Sequence, residues 1–384
     1  MLEDDELDDL GRQRFTGRSL VAVHLNRPPE YINTFVAALS ALIPPFTNVE
    51  NRSEWIVFTV IGAAIIPYPS AQLKKLQDEN QESLGGVSIG REQYLYEQAT
   101  AISPPIGVSA PLAAMGVSMV HKGRVKVLIL DSGMNALHPD FIQRNVLTLP
   151  FDNSGTYDPN GHGTHCTGLA CGPATPSDGS TRYGVASEST VVTGKVISTT
   201  GQYDDSAILA GIKWAIEHGV VIINMSIEAS VAINQTFNAP FELVARRALN
   251  AGILLVAAAG NAPAGTGRPV KHPANCPSVM AVGALDANLG LWDQSCVSIN
   301  GGQYIDIAAP GVDVRSTDLG VTYSIRSGTS VASAFVSGVA ALWADAPGSP
   351  RGQELWCALI SSAIPVNNAS YPQVGAGLVQ APLP

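Results

Sequence analysis

The sequence predicts an α/β fold in which helices cover both faces of a parallel sheet, preceded by a smaller α+β unit. Past residue 105 the apolar runs have the length of strands and are nearly continuous, and helical segments alternate with them. Strands without polar alternation are buried on both faces, which is typical of parallel sheets whose strands are joined by helices. Before residue 100 the elements suffice only for a small β-α-β-α-β unit.

The elements of the larger unit follow each other in regular order. Strands are predicted at residues 126–130, 190–197, 220–225, 253–258 and 279–284. Helices are predicted at residues 205–218, 241–250, 331–344 and 353–363. Functional groups gather at the carboxyl ends of the strands in sheets of this kind. Asp131 follows the first strand and Asn261 follows the fourth, so both lie where a site is expected.

The smaller unit is predicted to begin at residue 17 and to end at residue 98. Its elements are a strand at 18–25, a helix at 30–43, a β-rich run at 55–66, a helix at 71–82 and a closing strand at 86–89. Residues 92–102 are expected to form a linker, because Pro104-Pro105 then blocks a regular helix. Residues 1–16 are rich in carboxylates and are expected to form a solvated acidic tail. The larger unit is assigned to residues 99–384.

Composition narrows the class of protein. The chain has 384 residues, of which 46% are hydrophobic and 14% charged, and this favours a large core over disorder. Its net charge of −10 argues against nucleic acid as a partner. No run approaches the ~18 apolar residues of a membrane span. A basic start followed by an apolar core is also missing, which leaves an intracellular protein or one whose secretory signal was removed.

The five cysteines do not define a disulfide framework or a zinc site. Their number is odd and their spacing shows no close pairs. They are expected to be buried or free thiols, and the alternative that two of them form one disulfide is left open. They stand at Cys166, Cys171, Cys276, Cys296 and Cys357.

Three separated segments carry the residue types of a nucleophilic hydrolase. Asp131-Ser132-Gly133 ends a strand, His162 opens a glycine-punctuated turn, and Ser330 lies in a turn that begins an Ala/Val-rich helix. A serine hydroxyl is a poor nucleophile at neutral pH and needs a neighbouring base, and histidine titrates in the suitable range. The chain order Asp, His, Ser is one of the known orders of serine hydrolase triads.

These segments resemble subtilisin-type serine proteases, most closely the proteinase K branch, over about residues 105–378. The motifs are Asp131-Ser132-Gly133, His162-Gly163-Thr164-His165-Cys166-Thr167-Gly168, Ala257-Ala258-Ala259-Gly260-Asn261 and Gly328-Thr329-Ser330-Val331-Ala332-Ser333. Residues 17–98 resemble, more weakly, the inhibitory prodomain that precedes such enzymes.

The resemblance assigns a role to each motif. It implies that Ser330 is the nucleophile, that His162 is the base and that Asp131 orients the imidazole. The Asn261 amide and the Ser330 backbone N–H would donate to the oxyanion. His165 is then interpreted as a buried structural histidine, and Cys166 as a buried, inert thiol. A secreted enzyme is implied as well.

The resemblance also places an extended substrate strand between two segments of the enzyme. The expected substrate-binding residues are Gly201, Gln202, Tyr203, Ser226, Ile227 and Glu228, with Ala258, Ala259 and Gly260 as the floor of the primary pocket. Glu228 replaces the family's usual glycine. A carboxylate there would narrow the pocket or attract a basic side chain; alternatively, the loop is shifted and Glu228 lies in solvent.

Two further features follow from the resemblance. Ala334 stands where the family usually has proline, which would relax the surroundings of Ser330 and favour capture of the acyl-enzyme by an amine. The family also suggests a structural calcium held by the Asp306 carboxylate and the carbonyls of Pro277 and Val279. No cofactor is required for the chemistry.

The sequence therefore predicts a serine endopeptidase made as a self-inhibited zymogen. Its partners would be a peptide or protein substrate and its own prodomain, and a monomer is expected. The alternatives are a processing protease with transpeptidase or ligase activity and an inactive binding homologue. An esterase is disfavoured, since Gly328-Thr329-Ser330-Val331-Ala332 does not fit Gly-X-Ser-X-Gly.

Overall fold

The structure is a computed structural model. It describes residues 15–42, 55–96, 100–101, 109–117, 120–198, 202–232, 235–299 and 304–383. Residues 1–14 of the predicted acidic tail and Gly201 lie outside these residues, so both stay predictions, whereas residues 15 and 16 of that tail belong to a strand.

The N-terminal region is a four-stranded antiparallel sheet with helices on one face. Its elements are β1 (Phe15–Val23), α1 (Tyr31–Leu42), β2 (Ile56–Phe58), a 3-10 turn (Thr59–Ile61), β3 (Ala63–Ile66), α2 (Ser70–Glu79), α3 (Gln81–Leu84) and β4 (Val87–Tyr96). The strand order is β2-β3-β1-β4. This confirms the predicted sequence of small elements, with β1 beginning three residues earlier and β4 running much further.

Alternation along β1 explains why both faces of this sheet are covered. Successive side chains of a strand point to opposite faces. Val21 and Val23 pack with Ile32, Phe35 and other residues of the helices. Leu20 and Ala22 point the other way and belong to a core shared with the helices of the following region.

The remaining chain contains the larger sheet. Its elements are β5 (Thr100–Ala101), α4 (Ser109–Ala114), β6 (Lys126–Asp131), β7 (Leu147–Pro150), α5 (His162–Cys171), β8 (Thr190–Lys195), β9 (Gln202–Asp204), α6 (Asp205–Glu217), β10 (Ile222–Met225), α7 (Ala239–Asn250), β11 (Leu254–Ala258), β12 (Met280–Leu285), β13 (Ile307–Pro310), β14 (Val314–Thr317), β15 (Tyr323–Ser327), α8 (Thr329–Asp345), α9 (Gly352–Ser362) and α10 (Tyr371–Val374).

Seven parallel strands form this sheet in the order β13-β12-β11-β10-β6-β8-β7. The five strands predicted from continuous apolar runs are all present. Two edge strands, β7 and β13, were not predicted. Each is four residues long and ends in proline; β7 is largely exposed and lacks a continuous apolar run, whereas β13 is buried but too short for a clear strand signal.

Helices cover both faces of the sheet. One core contains residues of α5, α8 and α9, and the other contains residues of α6 and α7. α8 is buried almost all round, because its small alanine, serine and valine side chains let it lie against four strands of the parallel sheet and against α5. The predicted α/β architecture is therefore confirmed. Within the described residues, none of the helices combines the length and the apolarity that crossing a bilayer requires.

Residues 92–96 form a strand instead of the predicted linker. The end of β4 pairs antiparallel with β9, joining Tyr94 to Asp204 and Tyr96 to Gln202 in register. Thr100–Ala101 then pairs with Ser327 and Arg326 of β15. The linker expectation was wrong because the hydrogen-bonding partner, β9, lies far along the chain. The small sheet is thereby extended by a strand of the larger region.

Candidate active site

Asp131 and His162 are in direct contact at one end of the parallel sheet. Asp131 is the last residue of β6 and His162 is the first of α5. A hydrogen bond of 2.7 Å joins His162 Nδ1 to Asp131 Oδ1, and both side chains are 1% exposed. Gly163 allows this approach, since a Cβ there would lie 2.2 Å from the Gly133 carbonyl oxygen.

A buried carboxylate that was not singled out from the sequence holds the histidine turn. Asp158 Oδ1 accepts from Gly161 N–H, and Asp158 Oδ2 accepts from the Thr164 N–H at 2.8 Å. The Ser132 hydroxyl donates to Asp158 and accepts from Gly163 N–H. These bonds satisfy the first N–H groups of α5, which have no partners within the helix. A single Asp in a loop gives no sequence signal for this role.

Ser330 lies at the start of α8, beside His162. The thiol of Cys166 lies 3.9 Å from both His162 Nε2 and the Ser330 carbonyl oxygen, so these two residues flank the same atom. The Ser330 carbonyl also accepts hydrogen bonds of 2.9 Å from the hydroxyls of Ser226 and Ser333. The serine is thus held from the backbone side, at the N-terminus of a buried helix.

The Asn261 amide is oriented by Thr329, the residue before Ser330. Asn261 Oδ1 accepts from the Thr329 N–H and from the Thr329 hydroxyl, both at 2.9 Å. The Thr329 hydroxyl in turn accepts from Gly260 N–H at 3.1 Å. With its oxygen directed to Thr329, the amide presents Nδ2 as its donor on the other side. The structure brings Asp131, His162, Ser330 and Asn261 to one place, as the sequence predicts.

His165 and Cys166 have the buried positions that were expected. His165 is fully buried, its Nε2 lies 3.1 Å from the Val314 carbonyl oxygen, and burial lowers its pKa well below the usual value. Burial also raises the pKa of Cys166, which disfavours a thiolate. All five cysteines are free thiols, four of them buried and Cys357 exposed.

Glu228 is buried and forms an ion pair with Lys271. Its side chain is 5% exposed, and Glu228 Oε1 lies 2.5 Å from Lys271 Nζ. Glu228 Oε2 accepts from the Asn261 N–H at 2.8 Å, and Lys271 Nζ donates to the Asn261 carbonyl at 2.8 Å. The solvent-exposed alternative for Glu228 is therefore wrong. Lys271 was missed, because a lysine 43 residues from its carboxylate forms no local motif.

The expected substrate-binding segments lie next to this pair. Ala229 and His272 exchange two backbone hydrogen bonds of 2.7 and 3.0 Å, which fix residues 226–229 against residues 270–272. Ala258 ends β11, and Ala259 and Gly260 follow it; all three residues are buried. The backbone of Gln202 and Tyr203 belongs to β9, which is already paired with β4. The N-terminal region of the same chain thus pairs with part of the segment that the sequence assigns to substrate binding, a role that stays a prediction.

Asp306 has the surroundings of a carboxylate that would gain from a cation. Burial raises its pKa to about 7, and the Ala281 N–H, which donates to Oδ2 at 2.8 Å, opposes that shift. Pro277 and Val279 lie in the loop that leads into β12, whose Ala281 holds the carboxylate. Carboxylate and backbone carbonyl oxygens are the type of ligand that calcium takes. A calcium ion held by these three residues stays a prediction.

Comparisons with known proteins agree with this geometry. Residues 122–377 match the subtilase family. Subtilisin E from Bacillus subtilis (strain 168) is 30% identical over 325 residues, covering 84% of this chain and 80% of the relative. Subtilisin from Bacillus pumilus is 35% identical over 245 residues, covering 63% and 85%. A thermostable alkaline protease from Halalkalibacterium halodurans is 39% identical over 218 residues, covering 56% of each.

The family match and the site agree on the same part of the chain. Asp131, His162, Asn261 and Ser330 all lie within the matched residues. These relatives are subtilisins and an alkaline protease, so the narrower assignment to the proteinase K branch stays a prediction. The chain belongs to the subtilase family and is a subtilisin-like serine protease.

Proposed function

We propose that this chain is a serine endopeptidase whose chemistry is carried by Ser330, His162 and Asp131. The observation that carries the proposal is the buried 2.7 Å hydrogen bond between His162 and Asp131. A carboxylate accepts hydrogen bonds only, so the proton lies on Nδ1 and Nε2 is left as the base. Two observations support Ser330 and the Asn261 amide as the groups on the Nε2 side of this pair: Cys166 Sγ lies 3.9 Å from both His162 Nε2 and the Ser330 carbonyl oxygen, and the Thr329 N–H donates to Asn261 Oδ1.

The proposed reaction has two halves. The Ser330 hydroxyl oxygen forms a bond to the carbonyl carbon of the substrate while His162 Nε2 takes its proton. The oxyanion accepts from Asn261 Nδ2 and from the Ser330 N–H at the start of α8. The C–N bond then breaks and the leaving amine receives the proton from His162. Water repeats the sequence on the acyl-enzyme and releases the acid.

Asp131 and the groups around it position His162 and stabilise its protonated form. The imidazolium that forms during attack is stabilised by the adjacent carboxylate, which is buried and therefore poorly screened by water. Asp158 fixes the helix on which His162 stands. Neither residue changes its bonding during the reaction, so the site needs little reorganisation at the transition state.

We also propose that the N-terminal region inhibits the enzyme before processing. The end of β4 lies against β9 as an added antiparallel strand, which is how extended peptides bind to proteases. Thr100–Ala101 pairs with β15, whose last residue is three positions before Ser330. Tyr96, at the end of β4, and Thr100, in β5, thus pair with two different strands of the larger region. Cleavage between these residues would produce the mature enzyme.

Several contacts support docking of this region on the enzyme. Leu20, Ala22 and Ile65 share a core with residues of α6 and α7. Arg247 donates to the Val23 carbonyl at 2.9 Å. The match to subtilisin E covers 84% of the chain and so extends N-terminal to residue 122, where the family match begins. A structural calcium at Asp306 completes the proposal.

The test combines labelling with mass measurement. We expect a fluorophosphonate to label the processed wild-type chain, and Ser330→Ala to remove both labelling and self-cleavage. The mass of the wild-type protein should decrease by the mass of the N-terminal segment, whereas the Ser330→Ala variant should keep its full mass. Ser337→Ala, on the same helix but with its hydroxyl bonded to Asn224, is the matched control and should still be labelled. Turnover by Ser330→Ala at the wild-type rate would rule the mechanism out.

A further inference from the structure

We propose that the ion pair of Glu228 and Lys271 fills the primary substrate pocket and restricts the residue before the scissile bond to glycine or alanine. This inference rests on the proposed endopeptidase function and adds a substrate class to it. Of the two sequence-based expectations for a buried Glu228, it develops the narrowed pocket and departs from the other, in which Glu228 attracts a basic side chain. The difference comes from Lys271, whose position only the structure gives.

The pair bridges the two walls between which a substrate side chain would enter. Glu228 belongs to residues 226–229, one of the expected substrate segments, and Asn261 follows the expected floor at 258–260. Glu228 Oε2 accepts from the Asn261 N–H at 2.8 Å, so this carboxylate already spans the gap between the segments. Lys271 Nζ lies 2.5 Å from Glu228 and 2.8 Å from the Asn261 carbonyl oxygen. The space between the walls therefore contains protein atoms.

The stem of Lys271 covers the predicted floor. Lys271 N–H donates to the Ala259 carbonyl at 2.9 Å, which places its backbone beside the floor. A Cβ built on Gly260 would lie 2.7 Å from Lys271 Cγ and Cδ, so the methylenes rest directly on the glycine. Gly260 has a φ of +107° and no side chain, and both properties permit this approach. A deep apolar slot is thus replaced by an aliphatic stem with a charged end.

Burial makes the pair a fixed part of the pocket. The side chains of Glu228 and Lys271 are each 5% exposed. Moving either one aside to admit a large substrate side chain would separate two buried charges, which is strongly unfavourable. A small side chain requires no such movement. The size limit therefore follows from electrostatics as well as from volume.

The pair also removes the basis for a charged preference. The ammonium and the carboxylate neutralise each other at 2.5 Å, and each makes a further hydrogen bond to the Asn261 backbone. A basic substrate side chain would compete with Lys271 for Glu228, and an acidic one would compete with Glu228 for Lys271. Neither gains a net ion pair, so neither is favoured over alanine.

The test compares peptide p-nitroanilides that differ only in the residue before the nitroanilide, with Ala, Phe, Lys and Glu at that position. The enzyme is the purified chain after self-processing, and the concentration of sites is set by fluorophosphonate titration. We expect kcat/KM for Ala to exceed that for each of the other three by ~10-fold or more, the scale of discrimination by pocket size. A wild-type preference for Phe, Lys or Glu overturns the inference.

Two double variants separate volume from charge. Glu228→Gly with Lys271→Gly empties the pocket, and the ratio of kcat/KM for Phe to that for Ala should rise by ~10-fold or more. Glu228→Gln with Lys271→Met keeps the volume without the charges and should retain the preference for Ala over Phe. An unchanged ratio in the emptied variant overturns the inference. The inference is also overturned if the volume-matched variant gains as much Phe cleavage as the emptied variant.

Failure of the inference and failure of the proposed function give different results. A wild-type chain that is not labelled by the fluorophosphonate and cleaves none of the four substrates contradicts the function itself. A chain that is labelled but prefers another residue contradicts only the role of the pair. If the emptied variant does not fold, the wild-type profile and the volume-matched variant still decide the question.

Discussion

Thr329 hydrogen-bonds to Asn261 through both its backbone N–H and its hydroxyl, each at 2.9 Å. The residue beside the proposed nucleophile thereby sets the orientation of the proposed oxyanion donor. Thr329 also begins the helix that carries Ser330, so the two groups are positioned by one backbone segment. The geometry of the oxyanion site is therefore coupled to the start of α8.

This coupling predicts graded losses for changes at Asn261 and Thr329. Asn261→Ala removes a donor to the developing oxyanion and should lower kcat by ~100-fold or more with little change in KM, a magnitude that comes from a subtilisin example. Thr329→Val keeps the backbone bond and removes only the hydroxyl, so its loss should be clearly smaller. Steady-state kinetics on one nitroanilide substrate measures both. Equal losses would mean that Asn261 does not act through its amide.

The bond between Asp131 and His162 makes a second prediction. Asp131→Asn keeps the shape but places an amide where the carboxylate accepts a proton from Nδ1, so the wrong tautomer is favoured. We expect kcat to fall by ~10⁴-fold, as found for the equivalent change in another serine protease. Asp158→Asn, by contrast, should mainly lower thermal stability, because Asp158 holds the helix and not the imidazole. A loss of kcat near tenfold for Asp131→Asn would argue against its role.

The docking of the N-terminal region should depend on pH through Glu92. Burial, and then the nearby negative charge of Asp204, raises the pKa of Glu92 to about 7. Arg18 lowers this pKa, since its Nε lies 2.6 Å from Glu92 Oε2, but it does not offset the other two effects. The docked state thus binds a proton more tightly than the released state, in which the pKa is near 4.5. Docking is therefore strongest below pH 4.5 and weakens as the pH rises to about 7.

Release of the cleaved N-terminal segment measures this dependence. We expect the segment to dissociate faster at pH 7.5 than at pH 5, as followed by size-exclusion chromatography of the chain after self-cleavage. Glu92→Gln removes the titrating group and should flatten the profile, while Glu82→Gln on the exposed surface of the same region should not. A profile that keeps its slope in Glu92→Gln would assign the effect to another group.

Calcium should stabilise the chain at neutral pH through Asp306. Its pKa is raised to about 7 by burial, so without a cation the free energy of unfolding falls as the pH rises from about 4 to about 7. A bound calcium favours the charged form and should remove this loss. Chelation should then lower Tm at pH 8 by several degrees and have little effect at pH 5. In Asp306→Asn, Tm should not respond to calcium; a response equal to that of the wild type would place the ion elsewhere.

Ala334 permits a test of acyl transfer. In a regular α-helix the N–H of residue 334 points to the carbonyl of residue 330, and the family's proline would remove that donor. Ala334 is fully buried within α8. If alanine relaxes the acyl-enzyme, the wild-type chain should give a higher ratio of ligated to hydrolysed product than Ala334→Pro when a dipeptide amide is added. Equal ratios in chromatography of the products would make Ala334 a packing residue.

Local patterns were sufficient for the order of the main helices and central strands and for naming the candidate residues of the site. The apolar runs that became β6, β8, β10, β11 and β12 are continuous because both faces of these strands are buried. Glycine turns before His162 and Ser330 marked the starts of two helices. Edge strands and the extension of β4 were missed because they depend on partners instead of on their own composition.

The sequence by itself determined the fold class, the triad candidates and Asn261, since each is marked by residues adjacent in the chain. Tertiary structure alone decided which groups surround them. Asp158 reaches the start of α5, Thr329 reaches Asn261, and Lys271 meets Glu228 across 43 residues. A buried charge is stable only with a partner. Which residue becomes the partner depends on how the chain folds back and not on the separation of the two residues in sequence. The shape of the primary pocket is therefore a property of the folded chain alone.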